Sequence, residues 1–452
     1  MNIIIAGVGK IGSTLAEQLS QEGYDLTLID QNASVLEKAI ENCDAISITG
    51  NCATMTTLKH AGVGKANLLI AATDADEVNL LCCMTAHTIN PNIHTISRVR
   101  NPEYTEQIYT MRNAFGLSMT VNPDKQTAMK IDHMLKFPGF LKQDSFAKNR
   151  VNIVELKVEE GSKLDGIALS SLNSIIKCQV LVCVVLRDGN VIMPDGSFVL
   201  RRNDRILVTA ATNVLTTLLD NIGIQRRKVK KVLIAGGGRI SYYLAQQLLK
   251  SNIAVEIIEQ DYNRCLHLSA LLPAADIIHG DATSHSTLEK EGVSECDALI
   301  SLTGLDEMNI VISLFGTANH VPQVITKLGH EENMNILNQL SIGSVICPKE
   351  LCSDTIVRYV RAMHNQKGAA ISVHTIASGR AEAVEFRADD NTRYCKVPLK
   401  NVKTKKDVLI VSITRNGNTE IPNGESTFQS GDTVIVVTSA GTILTQLNDI
   451  FE

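Results

Sequence analysis

Two stretches of this sequence carry residue types suited to holding a nucleotide. The first reads Gly7-Val8-Gly9-Lys10-Ile11-Gly12 and is followed by Asp30; the second reads Gly236-Gly237-Gly238-Arg239-Ile240-Ser241 and is followed by Glu259. In a dinucleotide fold the first glycine permits a tight turn, the second lets the backbone approach a pyrophosphate, and the third allows close helix-sheet packing. Amides at the start of the following helix then face the phosphates, with the positive end of the helix dipole behind them. A carboxylate at the end of the second strand accepts hydrogen bonds from a ribose diol and repels a 2′-phosphate. NAD(H), or an adenine mononucleotide such as ATP or ADP, therefore fits better than NADP(H). In the second stretch Ser241 adds bulk at the packing contact, so this copy reads either as an altered nucleotide site or as a degenerate structural copy.

The likeness between the halves continues beyond the glycine turns. Gly50-Asn51-Cys52-Ala53-Thr54 returns as Gly280-Asp281-Ala282-Thr283, and Leu69-Ile70-Ala71-Ala72-Thr73 as Leu299-Ile300-Ser301-Leu302-Thr303. Thr73-Asp74 and Thr303-Gly304 fall just past fourth strands, the edge where ligands of open α/β sheets lie, with helix caps as the alternative reading. Arg98 and Lys327 end the fifth strands, where each reads as a phosphate contact or as a surface cation. Cofactor contacts are thus assigned in copy one to Gly7, Val8, Gly9, Lys10, Ile11, Asp30, Asn51, Cys52, Thr73, Asp74 and Arg98. In copy two they are assigned to Gly236, Gly237, Gly238, Arg239, Ile240, Glu259, Asp281, Ala282, Thr303 and Lys327.

These residues need a scaffold, and the pattern around them supplies one. Short β-branched runs near 2–6, 25–30, 45–49, 68–72, 93–97 and 118–121 alternate with segments of helical period, which predicts a parallel sheet covered on both faces. Ile11, Leu15 and Leu19, matched by Ile240, Leu244 and Leu248, put one helical stripe against each sheet. A helical stretch follows residue 122, and Phe137-Pro138-Gly139-Phe140 should end it. Residues 151–220 change character: strands around a helix near 167–172 are punctuated by Asp188-Gly189 and Asp195-Gly196 turns, a small α+β module. The run Arg226-Arg227-Lys228-Val229-Lys230-Lys231 reads as a solvated linker or a docking segment for an acidic partner or lipid head groups. The second half mirrors this plan, with a helix at 354–364 and a second small module.

Composition narrows the function classes. The chain has 452 residues, 44% hydrophobic and 20% charged, with net charge −5, which gives no global reason to expect nucleic acid. Its apolar runs are strand-sized, far below the ~20 residues needed to span a bilayer. No basic leader or cleavage site precedes the first strand, so the chain is expected to start at Met1 and stay in the cytosol. The 11 cysteines and 11 histidines show no CxxC or HExxH spacing, so the cysteines read as reduced core thiols and a metal is not expected.

Taken together, Ile3 to Gly12, the Asp30 strand end, the Gly50-Asn51 and Gly280-Asp281 turns, Ser97-Arg98-Val99-Arg100-Asn101-Pro102-Glu103-Tyr104 and the two small modules resemble the RCK, or KTN, family over essentially the whole chain. The resemblance implies two doubly wound, Rossmann-like N-domains at 1–122 and 230–350 that bind NAD(H) or ATP/ADP. It further implies crossovers at 123–148 and 351–370, and small C-domains at 149–225 and 371–452. It also implies a cytoplasmic regulator, peripheral on the inner face of the inner membrane, in which four chains form a gating ring beneath an integral membrane Trk potassium translocation subunit. Departures from the family pattern are Ser241 and the replacement of acidic positions by Asn51 and Gly304.

The competing class is a nicotinamide-dependent dehydrogenase, which needs an acid or base presented by a sizeable substrate domain. The small modules show no such constellation; His133 and Lys163 come nearest and read as exposed helix or turn residues. A nucleotide-sensing transcription factor lacks a helix-turn-helix or zinc motif. No catalytic residue is assigned.

Overall fold

The computed structural model describes residues 1–136, 140, 142–146, 150–223, 228–329, 343–363, 370–377, 380–439, 444 and 446–452. The expected Phe137-Pro138-Gly139 turn and the start of the basic run, Arg226-Arg227, lie outside them. The chain divides into two compact units, one of residues 1–132, 230–342 and 346–360, the other of residues 133–229, 343–345 and 361–452.

In the first unit the opening sheet contains β1 (Asn2–Ala6), β2 (Asp25–Asp30), β3 (Ala45–Thr49), β4 (Leu68–Ala71), β5 (His94–Arg98) and β6 (Met119–Val121), in the order β3-β2-β1-β4-β5-β6. β1 pairs in parallel with β2 and β4, Ile5 lying opposite Leu28 and Ile70. Ile3, Ile4, Ile5 and Ala6 are all buried, as expected of a central strand covered on both faces. The covering helices are α1 (Lys10–Gln21), α2 (Ala33–Ile40), α3 (Met55–His60), α4 (Asp76–Ile89) and α5 (Pro102–Met111), followed by α6 (Pro123–Lys136). The predicted stripe of α1 is the buried one: Ile11, Leu15 and Leu19 all face the core. Because strand order reverses between β1 and β4, their carboxyl ends open a crevice at the switch point.

The first small module intervenes in sequence before the copy returns. In the other unit, β7 (Lys142–Phe146), β8 (Val151–Lys157), β9 (Val180–Arg187), β10 (Asn190–Ile192) and β11 (Arg205–Ala211) form an antiparallel sheet with α7 (Leu172–Ile176) and α8 (Leu215–Ile222). The helix predicted near 167–172 starts later, because Ala168 is held in a bridge to Val199; a 3-10 turn at Leu169–Ser171 leads into α7. The glycine-turn sheet then recurs as β12 (Lys231–Ala235), β13 (Ala254–Glu259), β14 (Asp276–His279), β15 (Ala298–Ser301), β16 (Gln323–Lys327) and β17 (Ser344–Ile346), ordered β14-β13-β12-β15-β16-β17. Its helices are α9 (Arg239–Lys250), α10 (Tyr262–Leu271), α11 (His285–Lys290), α12 (Asp306–Ala318) and α13 (Pro348–Met363). α13 begins six residues before the predicted start, at Pro348, whose fixed φ and missing amide suit a first helical position. The last sheet, β18 (Ala370–Ile376), β19 (Ala381–Arg387), β20 (Val408–Arg415), β21 (Asn418–Glu420) and β22 (Thr433–Ser439), is antiparallel.

Like modules share a unit. Tyr243 of α9 reaches the opening sheet, where its hydroxyl donates to the Arg100 carbonyl at 3.1 Å and accepts from Asn122 Nδ2 at 3.0 Å. In the other unit one core joins both antiparallel sheets: Phe146, Ile153, Val184 and Leu207 pack with Ile376, Ala383, Val411, Ile435 and Val437.

Candidate functional site

Each crevice is built around its glycine turn. Gly7 has φ +90°, a left-handed conformation, and a Cβ there would lie 2.6 Å from the Thr73 amide nitrogen, so side-chain absence lets the ends of β1 and β4 touch. A Cβ on Gly12 would lie 2.0 Å from the Gly7 carbonyl oxygen, a clash with backbone that makes glycine obligatory at this contact. Gly9 differs from both, because nothing lies within 4 Å of its Cβ position and its φ of −70° is ordinary. Its lack of a side chain therefore leaves room for a ligand rather than for the protein. Gly9 is also the N-cap of α1 and provides no side-chain cap, which leaves the amides of the first turn available. A phosphate group fits this cradle.

The acidic strand end faces the same turn. Asp30 accepts from the Val8 amide at 2.8 Å and from the Asn32 amide at 2.9 Å, which fixes both carboxylate oxygens while leaving further lone pairs for a diol. Copy two repeats the device: Glu259 accepts from Gly237 N at 2.6 Å and Asp261 N at 2.8 Å. Gly238 is likewise open and uncapped, and Gly236 has φ +100°. Gly237 stands where copy one has Val8; Leu268 Cδ1 lies 2.6 Å from its Cβ position, so the neighbouring helix fills that volume instead. Ser241 is fully buried, and its hydroxyl donates to the Gly236 carbonyl at 2.5 Å. The expected bulk at this contact is thus absorbed as a hydrogen bond.

Across the crevice the β4–α4 corner is rigid. Asn79, wholly buried, accepts from the Thr73 amide at 2.8 Å and hydroxyl at 2.7 Å, and donates to the carbonyls of Thr73 and Arg98, both at 3.0 Å. Asn309 joins Thr303 to the Lys327 carbonyl in the same way. The Thr73 and Thr303 hydroxyls are thereby engaged within the protein. Asn51 and Asp281 close Asx turns onto Ala53 N and Thr283 N, both at 2.9 Å, while Cys52 and Ala282 point into the core. The Asn79 role was missed in the sequence, although Asp76-Glu77-Val78-Asn79 and Asp306-Glu307-Met308-Asn309 repeat almost literally.

The cations differ between copies. Arg98 is buried, donates to the Thr73 carbonyl and pairs with the exposed Asp74 at 2.9 Å, so it is no surface cation. Lys327 donates to the Thr303 carbonyl at 2.5 Å, and Gly304 supplies no carboxylate there; burial holds its amine below the usual lysine range, opposed by Asp306 and Asp124. Lys10 also lowers Lys327, and Arg239 acts on Arg100, so each turn's cation is felt at or just past the end of the other copy's fifth strand. Among these cations Asp124, at the start of α6, is pushed up by burial, with Arg239, Arg100, Arg98 and Lys327 opposing. His133 and Lys163 belong to the other unit, where Lys163 Nζ donates to the Asn221 carbonyl at 2.9 Å. Among the described residues no cluster of three or more His, Cys, Asp or Glu could hold a metal, and no helix is long and apolar enough to cross a membrane.

This duplicated architecture has clear relatives. The TrkA-N domain family matches residues 3–123 and 232–348, and the TrkA-C domain family matches 153–223 and 383–448. A Trk system potassium uptake protein TrkA homolog of Archaeoglobus fulgidus is 30% identical over 436 residues, covering 96% of this chain and 97% of that protein. The Trk system potassium uptake protein TrkA of Haemophilus influenzae is 27% identical, covering 100% and 99%, and that of Halomonas elongata 29%, covering 96% and 95%. None of these three is named as an enzyme. Among solved structures, the GsuK RCK domain shares the fold at a TM-score of 0.61 with 18% identity, covering 97% of this chain and 92% of that one. A GsuK channel bound to NAD aligns with a TM-score of 0.61 and 18% identity, covering 97% and 77%. With two TrkA-N domains, two TrkA-C domains and a relative 30% identical along almost its whole length, the chain belongs to the TrkA family of Trk system potassium uptake proteins.

Proposed function

We propose that this chain is the nucleotide-sensing regulatory subunit of a Trk-type membrane potassium uptake transporter, acting from the cytoplasmic face of the inner membrane. The observation that carries the reading is the pair of open, uncapped helix starts at Gly9 and Gly238, each facing a carboxylate held at the end of the second strand of its sheet. NAD(H) and ATP or ADP are the proposed ligands, on the residues assigned above, in N-domains spanning 1–122 and 230–350. The fold neighbour with NAD bound, and a GsuK structure bound to ADP, support that choice. A bound nucleotide supplies negative phosphates and a ribose diol. Amides after Gly9 and Gly238 hold the phosphates, Asp30 and Glu259 orient the diol, and Asn79 and Asn309 keep the opposite wall in place. Nothing need react: a ligand that fits one conformation better shifts the population toward it.

Assembly into a ring of four chains completes the proposal. Leu81, Met84 and Met111 are exposed on a groove of about 280 Å³ between α4 and α5, and in copy two α12 exposes Val311 and Leu314 at the positions of Leu81 and Met84, with Met308 and the preceding Leu305 also exposed. Two apolar faces on one chain suit head-to-tail association with further copies of this chain.

The test is reconstitution with a Trk translocation subunit in vesicles. NADH and ATP should change potassium flux differently, and the purified chain should bind NADH without oxidising it across a panel of carbonyl compounds. Turnover with a carbonyl substrate, or flux indifferent to both nucleotides, overturns the reading.

A further inference from the structure

Tyr243 of α9 is buried, and a buried tyrosine hydroxyl needs partners. It finds them in the other copy, donating to the Arg100 carbonyl at 3.1 Å and accepting from Asn122 Nδ2 at 3.0 Å. Both partners lead onward. Arg100 Nη2 donates to the Asp74 carbonyl, and Arg98 Nη2 donates to the Thr73 carbonyl and pairs with the Asp74 carboxylate at 2.9 Å, so the end of β5 holds the corner that walls the copy-one crevice. Asn122 Oδ1 accepts from the Lys125 amide at 2.9 Å and caps α6. At its other end Tyr243 belongs to the opening turns of α9, whose uncapped amides after Gly238 form the phosphate cradle of copy two. A line of hydrogen bonds therefore joins one cradle to the opposite copy's crevice wall. The return line is missing: Thr14 takes the place of Tyr243 on α1, and its hydroxyl donates to the Lys10 carbonyl at 3.0 Å, within its own helix.

We infer that the Tyr243 hydroxyl is a positioning group that couples the two nucleotide pockets, so that occupancy of copy two changes the affinity of copy one. The inference rests on the reading of both crevices as nucleotide sites. Phosphates gathered on the first amides of α9 set where that helix begins. Tyr243 carries the setting to the Arg100 carbonyl, and the Arg98 and Arg100 guanidinium groups pass it to Thr73 and Asp74 across the copy-one crevice. By linkage the effect is reciprocal, a ligand in copy one changing the affinity of copy two by the same factor. The hydroxyl rather than the ring makes the crossing. Phenylalanine would keep the edge-to-face contact with Tyr242, ring centroids 5.5 Å apart, and would leave Asn122 Nδ2 donating to the Thr105 hydroxyl at 3.3 Å and the Arg100 carbonyl at 3.5 Å. Copy one would then close on itself.

NADH calorimetry on the full-length native chain, Gly238→Asp, Tyr243→Phe and the double variant tests this, with the copy-one step identified as the one that Gly9→Asp removes. Closing copy two with Gly238→Asp should shift copy-one affinity in the native background. In the Tyr243→Phe background the same closure should leave only direct repulsion by the new carboxylate, which acts in both backgrounds. The ratio of the two shifts is the coupling, and at least ~5-fold is expected. Equal shifts in the two backgrounds overturn the proposal. So does a native chain whose copy-one affinity ignores the closure, a result that needs no tyrosine variant to fold. Two independent NADH steps would leave the nucleotide reading standing, whereas a native chain that binds no NADH would remove both.

Discussion

The two glycine turns solve one packing problem in different ways. In copy one the turn carbonyl approaches α1 so closely that only glycine fits at position 12, whereas in copy two a serine occupies the corresponding place and donates to that carbonyl. A missing third glycine therefore says nothing by itself about a looser site; it reports how the contact is filled. The electrostatic contrast runs deeper. Copy one neutralises its buried Arg98 with Asp74, while copy two leaves Lys327 without a carboxylate at Gly304. The copies differ less in turn geometry than in the charge an incoming anion would meet.

Substitutions at the open glycines press this contrast hardest. Gly9→Asp puts a carboxylate where a pyrophosphate must come, in space the protein does not use, so folding should survive while copy one loses at least ~100-fold in NADH affinity, about 2.7 kcal/mol. In reconstituted transporter it should abolish nucleotide control, and Gly238→Asp should leave a partial response; equal, complete loss from both would make the copies equivalent. Next comes the packing contact itself. Gly12→Ser should cost ~1–3 kcal/mol of stability in urea unfolding, as overpacked cores do. Ser241→Gly should cost about 1 kcal/mol through one lost hydrogen bond. If the two costs were the same, the claim that the turns are differently built would fall.

Asp30→Ala and Glu259→Ala should each lower affinity for both NADH and ATP by ~10-fold, about 1.4 kcal/mol, because either ligand loses a diol acceptor. Calorimetry showing unchanged affinity in both variants would remove the carboxylates from the site. The smallest effect belongs to Lys327. Burial lowers its pKa in the folded state, so the unfolded chain binds more protons in the range just below the ordinary lysine value, and stability from this group rises with pH there. Lys327→Met should be slightly more stable at neutral pH and should lose that alkaline rise. A urea midpoint that drops at neutral pH would show that the amine is stabilising.

Much of the scaffold was legible because it rests on local rules. The stripe of Ile11, Leu15 and Leu19 and the glycine turn each follow from side-chain period or backbone sterics. Asn79 was not, since a polar residue inside a helical segment looks solvent-facing until its buried partners, Thr73 and the Arg98 carbonyl, are in view. Nor was the grouping of like modules, which depends on surfaces separated by long stretches of chain. One trace of it stood in β9, where Val180 to Arg187 is buried at nearly every position, a strand covered on both faces.

Tyr243 bridges to Arg100 and Asn122 from one side only, since α1 offers Thr14 where α9 offers the tyrosine. In an assembly of identical single-copy chains any such change would appear on both sides of the dyad at once. Fusion into one chain lifts that constraint. A gene of this design can try a substitution in one copy while the other keeps its form, and two domains that began as duplicates become free to diverge.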